Sequence, residues 1–180
     1  HGTIEFFPEE GKYHYDGHRL CNICLSPKET IKHNYLCPLC GKRLTIGVMH
    51  RIEKLADRKT GPRMSLSGMG VKSKDMPVFY SIIPLSEIIS EVLKVGVNSK
   101  AVNNEYIKLI EGLGSELKIL MDTPLTRIKK IGSPIISEAI AMVRKEKVYI
   151  SPGFDGEYGK IKIFEKVEKP KIKGQMMLFN

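Results

Sequence analysis

The chain reads as an α+β protein: an N-terminal zinc ribbon followed by a mostly helical, helix-hairpin-helix-like domain that ends in a terminal β-hairpin. Three observations predict this. Four cysteines fall in two pairs, Cys21-Asn22-Ile23-Cys24 and Cys37-Pro38-Leu39-Cys40, with twelve residues between the pairs. Residues 84–146 carry apolar side chains at helical spacing, punctuated by Gly, Thr-Pro and Ser-Pro. Two β-rich runs, 148–150 and 160–164, then flank Gly153, Asp155 and Gly156.

Taken in order, residues 3–7 predict a short strand, ended by Pro8 and the acidic pair Glu9-Glu10. The β-branched run from Arg43 to Val48 predicts a strand leaving the second knuckle, and Ile52 and Leu55 suit a turn of helix over 49–56. Residues 57–76 crowd Gly61, Pro62, Gly68, Gly70 and several Ser together with Lys and Arg, the composition of a linker. Pro84 opens a helix with Leu85, Ile88, Ile89, Val92 and Leu93 on one face, stopped near Gly96. Asn98 reads as the N-cap of a helix over 99–111, ended by Gly112 or Gly114. Thr123-Pro124 and Ser133-Pro134 each set a capping hydroxyl before a proline, predicting helices 124–131 and 134–146. In the run 160–164 apolar residues alternate with lysines, as in a half-exposed strand. The expected organisation is a zinc-ribbon-like domain at 1–55, a basic linker at 56–80, a helical domain with hairpin at 81–165, and a flexible basic tail at 166–180.

Composition narrows the class. Of 180 residues 42% are hydrophobic, ordinary for a globular protein, and the formal net charge is +9. No apolar run reaches the roughly 20 residues of a membrane helix, and no signal-peptide pattern is present. Zinc-type cysteine pairs in such a chain fit a reducing, cytoplasmic compartment. The chain opens on His1 without an initiator Met, which reads as the middle of a longer protein. Residues 56–76 hold 5 basic against 2 acidic side chains and 160–180 hold 6 against 2, so much of the excess charge sits in linker and tail. Such a distribution suits sequence-independent attraction to phosphate.

The two-residue gap within each cysteine pair lets both thiolates reach one ion, and two pairs close a tetrahedral site. Cys21, Cys24, Cys37 and Cys40 are therefore the expected ligands of a structural zinc with no position left to activate water. A glycine commonly frees the turn after such a knuckle; Gly41 follows Cys40, whereas Leu25 follows Cys24. The hairpin text Ile131-Gly132-Ser133-Pro134 suggests a phosphate grip at a helix N-terminus, with Lys129 and Lys130 beside it, although Pro134 removes one donor. The expected nucleic-acid contacts are Lys42, Arg43, Arg51, Arg58, Lys59, Arg63, Lys129, Lys130, Gly132 and Ser133. His14, Asp16 and His18 alternate and would share one face of a strand, while His33 and His50 read as structural. No self-contained catalytic constellation emerges, so no catalytic residue is assigned. The terminal Gln175, Leu178 and Phe179 match the first half of a sliding-clamp-binding box.

From Phe6-Phe7-Pro8-Glu9-Glu10-Gly11-Lys12-Tyr13-His14-Tyr15-Asp16-Gly17-His18-Arg19 into the cysteines, the sequence resembles the region that follows the phosphoesterase (PHP) domain in endonuclease Q. The likeness continues through Leu44-Thr45-Ile46-Gly47-Val48, Ile83-Pro84-Leu85-Ser86-Glu87-Ile88-Ile89 and Pro152-Gly153-Phe154-Asp155-Gly156, up to about Phe164. This resemblance implies a DNA-repair nuclease of archaea and some bacteria that nicks 5′ of deaminated bases such as hypoxanthine and uracil, or of abasic sites. Its catalytic divalent metals belong to the PHP domain, which this sequence lacks. The chain is thus expected to be a DNA-binding accessory region of such an enzyme, partnered by damaged duplex, the PHP domain in cis and the replication clamp. Two other readings stand beside it: a zinc-ribbon scaffold that binds protein, and a metal-dependent hydrolase built on His14, Asp16 and His18.

Overall fold

A computed structural model of the chain describes residues 2–57 and 78–164. The expectations placed on Arg58, Lys59, Arg63, Gln175, Leu178 and Phe179 lie outside the described residues. Within them the architecture is α+β, with seven α-helices and three two-stranded sheets.

The N-terminal part is built from short pieces. Strand β1 (Gly2–Glu5) leads into a 3-10 turn, Pro8–Glu10. Strands β2 (Asp16–His18) and β3 (Ile23–Leu25) pair antiparallel around a second 3-10 turn, Arg19–Cys21. Helix α1 (Pro27–Lys32) starts at a capping box: Ser26 Oγ accepts from the Glu29 N–H, and the Glu29 carboxylate accepts from the Ser26 N–H at 2.8 Å. Helix α2 (Val48–Leu55) follows the second knuckle. The strand expected over 43–48 does not form as such. Leu36 pairs with Arg43 and Gly17 with Thr45 as single bridges, after which the Asp16 carboxylate takes the Gly47 N–H at 2.7 Å and the chain turns into α2.

Beyond the basic stretch, strand β4 (Val78–Ser81) pairs with β1, in parallel. Helices α3 (Leu85–Leu93), α4 (Lys100–Leu113), α5 (Glu116–Met121), α6 (Leu125–Ile131) and α7 (Pro134–Arg144) then pack around one core. Leu85, Ile88, Leu109, Ile119, Ile128 and Ile140 are fully buried there, and each contributes about 1.5–3 kcal/mol by leaving water. The helical segment has one helix more than expected: α5 is a six-residue turn whose C-terminal carbonyls are capped by Arg144, which donates to Ile119, Leu120 and Thr123. Ser99, not Asn98, caps α4, and Ser133 caps α7 as expected. Thr123 does not cap α6; its hydroxyl donates to the Lys118 carbonyl.

Strands β5 (Tyr149–Ser151) and β6 (Lys160–Lys162) form the terminal hairpin. Its long loop is laid onto the N-terminal part. Tyr15 donates to the Gly153 carbonyl, while Gly153 and Gly159 donate to Glu9 and Glu10. These approaches leave no space for side chains: a Cβ on Gly159 would lie 2.0 Å from the Glu9 oxygen and one on Gly153 would lie 2.3 Å from that of Gly11. Phe154 lies against Gly17, and Lys12 Nζ sits 4.5 Å from the centre of the Tyr158 ring. Among the described residues no helix is long and apolar enough to cross a membrane.

Candidate metal centre and nucleic-acid face

The donor atoms of His18, Cys21, Cys37 and Cys40 all lie within 4.8 Å of one another. Three of the four expected cysteines therefore meet, and His18 takes the place given to Cys24. The backbone explains the difference. A knuckle must turn immediately after its second donor, and the residue there takes positive φ: Gly41 (φ 70) after Cys40, and Asn22 (φ 51, ψ 41) after Cys21. The first knuckle is thus His18-Arg19-Leu20-Cys21, with the same two-residue gap as Cys37-Pro38-Leu39-Cys40. Cys24 comes after the turn, in β3, where it pairs with Gly17 in the ladder. Its half-buried thiol is pushed up to about 11, by burial first and then by the Glu29 and Asp16 carboxylates. The signal for His18 was present in the sequence as a histidine three residues before Cys21, and the mismatch of Leu25 after Cys24 pointed the same way.

The electrostatics suit a cation. Around Cys37 burial favours the neutral thiol, but the N–H groups of Cys40 and Leu39, the Cys40 thiol and His18 outweigh it and lower its pKa to about 6. Cys21 goes the other way, raised to about 11 chiefly by its hydrogen bond to Cys40 and by burial. His18 Nδ1 lies 3.4 Å from Cys40 Sγ. Three thiols whose sulfurs lie within 4.8 Å of one another do not all ionise together unless a divalent ion shares them. Three sulfurs and one imidazole would supply all four ligands of a zinc-type ion and leave no open position for substrate. Metal uptake at pH 7 is therefore expected to release protons, because Cys21 starts as a thiol and must end as a thiolate. Titration calorimetry in two buffers of different ionisation enthalpy measures that release; zero release would contradict ligation by Cys21.

A buried polar cluster braces the knuckles. Asp16, wholly buried, accepts from the Gly47 N–H, and its other oxygen lies 2.6 Å from His50 Nδ1. On the outside, Asp155 accepts from the Arg19 N–H at 2.6 Å and from the Thr45 hydroxyl. These bonds hold its carboxyl below the usual range against the opposing effect of burial. His14 is buried and is not among the donors that meet around His18, and Asp16 is turned to His50 and Gly47, so the alternating trio does not form one site.

The expected nucleic-acid contacts fall in two places. Lys42, Arg43 and Arg51 are exposed around the second knuckle and α2; Lys129 and Lys130 are exposed in the last turn of α6. Gly132 and Ser133 form the short connection to α7, half-buried. Pro134 supplies no N–H and the Ser133 hydroxyl occupies that of Ile136 at 3.2 Å, which leaves Ile135 as the free amide among the first three of α7.

The fold and site define a class: a cysteine-histidine knuckle cluster and a small helical unit in one chain, with the glycine-bearing loop after β5 laid against the N-terminal part. The chain corresponds to a C-terminal part of an endonuclease Q-like protein. It is similar to the lesion-specific endonuclease PfuEndoQ from Pyrococcus furiosus, with 32% identity and a TM-score of 0.72 over 94% of this chain and 39% of that one. It is similar also to an endonuclease Q solved with a 27-mer duplex carrying an abasic lesion at the active site, with 32% identity and a TM-score of 0.68 over 94% of this chain and 40% of that one. The family described as the MJ0043 C-terminal domain matches residues 84–147. The uncharacterized protein MJ0043 of Methanocaldococcus jannaschii is 35% identical over 154 residues, 86% of this chain and 18% of that protein. The chain thus spans about two fifths of the solved relatives and less than a fifth of the curated one.

Proposed function

We propose that this chain is the DNA-holding accessory region of a repair endonuclease that nicks 5′ of deaminated bases or abasic sites, with the catalytic PHP domain on a part of the protein outside this sequence. The observation that carries this reading is the likeness, over 94% of the chain, to an endonuclease Q held on a lesion-bearing duplex. The chemistry of the knuckles agrees with it. A four-donor shell of sulfur and imidazole folds a module rather than activating water, and zinc is the ion that such a set prefers. The exposed cations Lys42, Arg43, Arg51, Lys129 and Lys130 would then hold phosphates and position the duplex without reading its sequence. Gln175, Leu178 and Phe179 at the end of the chain would engage a replication clamp through a short apolar plug.

Fluorescence anisotropy with a duplex carrying one abasic-site analogue tests the reading. Replacing Lys129 and Lys130 together with Ala is expected to lower affinity and to reduce the slope of log affinity against log salt by about 2, one phosphate for each side chain. Lys129 and Lys130 project from the C-terminal turn of α6, so the thermal melt should not change. Equal affinity at low salt would remove the hairpin from the interface, and failure of the wild-type chain to bind duplex would overturn the proposal.

A further inference from the structure

The two knuckles are built alike. Each runs donor, any residue, leucine, cysteine: His18-Arg19-Leu20-Cys21 and Cys37-Pro38-Leu39-Cys40. Each is followed by a residue of positive φ, Asn22 or Gly41. In both, the leucine occupies the place just before the second donor, and the turn throws it outward. Leu20 is 82% exposed and Leu39 70%, which makes them the two most exposed large apolar side chains among the described residues. Neither position is required by the metal, since a knuckle needs only its donors and its turn. A polar residue in either place would leave the fold intact and remove an apolar surface from water.

The ground around these leucines is cationic. Residues 18–43 contain five basic side chains against one acidic, Glu29, which is committed to the capping box of α1. Arg19 faces Glu157 and Asp155, and Lys28 faces Glu53, which leaves Lys32, Lys42 and Arg43 as the cations of this surface. Three thiolates on a divalent ion carry one net negative charge, too little to reverse that balance. Two rigidly mounted apolar tips inside a positive field fit a particular partner. Phosphates attract the surround, and the tips need an apolar place to go, which an intact duplex does not offer without unstacking. A duplex with a missing or extruded base does offer it, because the stack there is already open.

Resting on the DNA-binding reading above, we infer that Leu20 and Leu39 form a paired wedge on the metal knuckles that inserts against the opened base stack at a lesion. The metal is then a mount: by fixing both turns to one ion it holds the two tips at a set spacing, so that little conformational entropy is lost when they enter the stack. Lesion preference arises from the reduced cost of unstacking, and Lys42 and Arg43 supply the phosphate contacts that bring the tips into place.

The experiment uses the full chain loaded with zinc and a duplex holding 2-aminopurine next to an abasic-site analogue, compared with the same duplex intact. Wild type at saturation is expected to change the 2-aminopurine emission at the lesion and to bind the lesion duplex in preference to the intact one. Leu20→Ala with Leu39→Ala should abolish the emission change and reduce the preference by about tenfold, while the salt slope and the zinc content stay as in wild type. Leu20→Met with Leu39→Met should restore both. Binding with normal lesion preference and normal emission in the double alanine variant would overturn the wedge and leave the DNA-binding reading standing. Absence of duplex binding by wild type would overturn both. Loss of self-association in the double alanine variant, with DNA behaviour unchanged, would assign the tips to a second copy of the chain and overturn the wedge.

Discussion

Replacing Cys37 with Ser is expected to unfold the N-terminal part of the chain, because a structural zinc supplies on the order of 10 kcal/mol of folding free energy in small zinc modules. The site makes a sharper forecast than a general loss of metal. His18→Ala should release zinc as Cys37→Ser does, while Cys24→Ser should keep one zinc per chain, since Cys24 lies in β3 and the four donors that meet are His18, Cys21, Cys37 and Cys40. Metal analysis after dialysis, with a thermal melt of each variant, reads the result. Retention of zinc by His18→Ala together with its loss from Cys24→Ser would restore the four-sulfur set predicted from cysteine spacing.

Asp16→Ala is the second large effect. Its carboxylate is wholly buried and ties strand β2 to helix α2 at two points, the Gly47 N–H at the start of α2 and the His50 ring within it. Removing it leaves a buried amide and a buried imidazole without their acceptor. Hydrogen bonds to a charged acceptor are worth about 1.5–3 kcal/mol each, so the two together predict a loss of roughly 3–6 kcal/mol. Urea unfolding followed by circular dichroism measures it, and a midpoint within error of wild type would show that α2 is held by other contacts. Asp16→Asn, which keeps an acceptor oxygen, should lose less.

What the sequence made legible was whatever depends on neighbours along the chain. Helices α3, α4, α6 and α7 follow from apolar spacing with Gly and Ser-Pro punctuation, and each boundary lies within about two residues of expectation. The terminal hairpin followed from alternation. Two local signals were readable and missed. Ser26-Pro27-Lys28-Glu29 spells the capping box of α1, and His18 stands at knuckle spacing from Cys21. The remainder was not local. Helix α5 is too short for a periodic signal and exists because Arg144, more than twenty residues away, caps its carbonyls. No pattern in residues 1–20 announces that β1 will pair in parallel with β4, or that the loop after β5 will lie across Glu9, Glu10 and Tyr15. The strand expected over 43–48 had the right composition but met a carboxylate that drew its backbone elsewhere.

The Asp155 carboxylate has a consequence for how the protein is made. It holds Arg19 and Thr45, the latter 110 residues earlier in the chain. A ribosome adding about 5–20 residues per second needs roughly 5–20 s to travel that distance. During that interval the nascent knuckles have their donors but not the loop that closes over them, so a metal bound early would hold the two turns together until the β5–β6 hairpin emerges and Asp155 seals the joint.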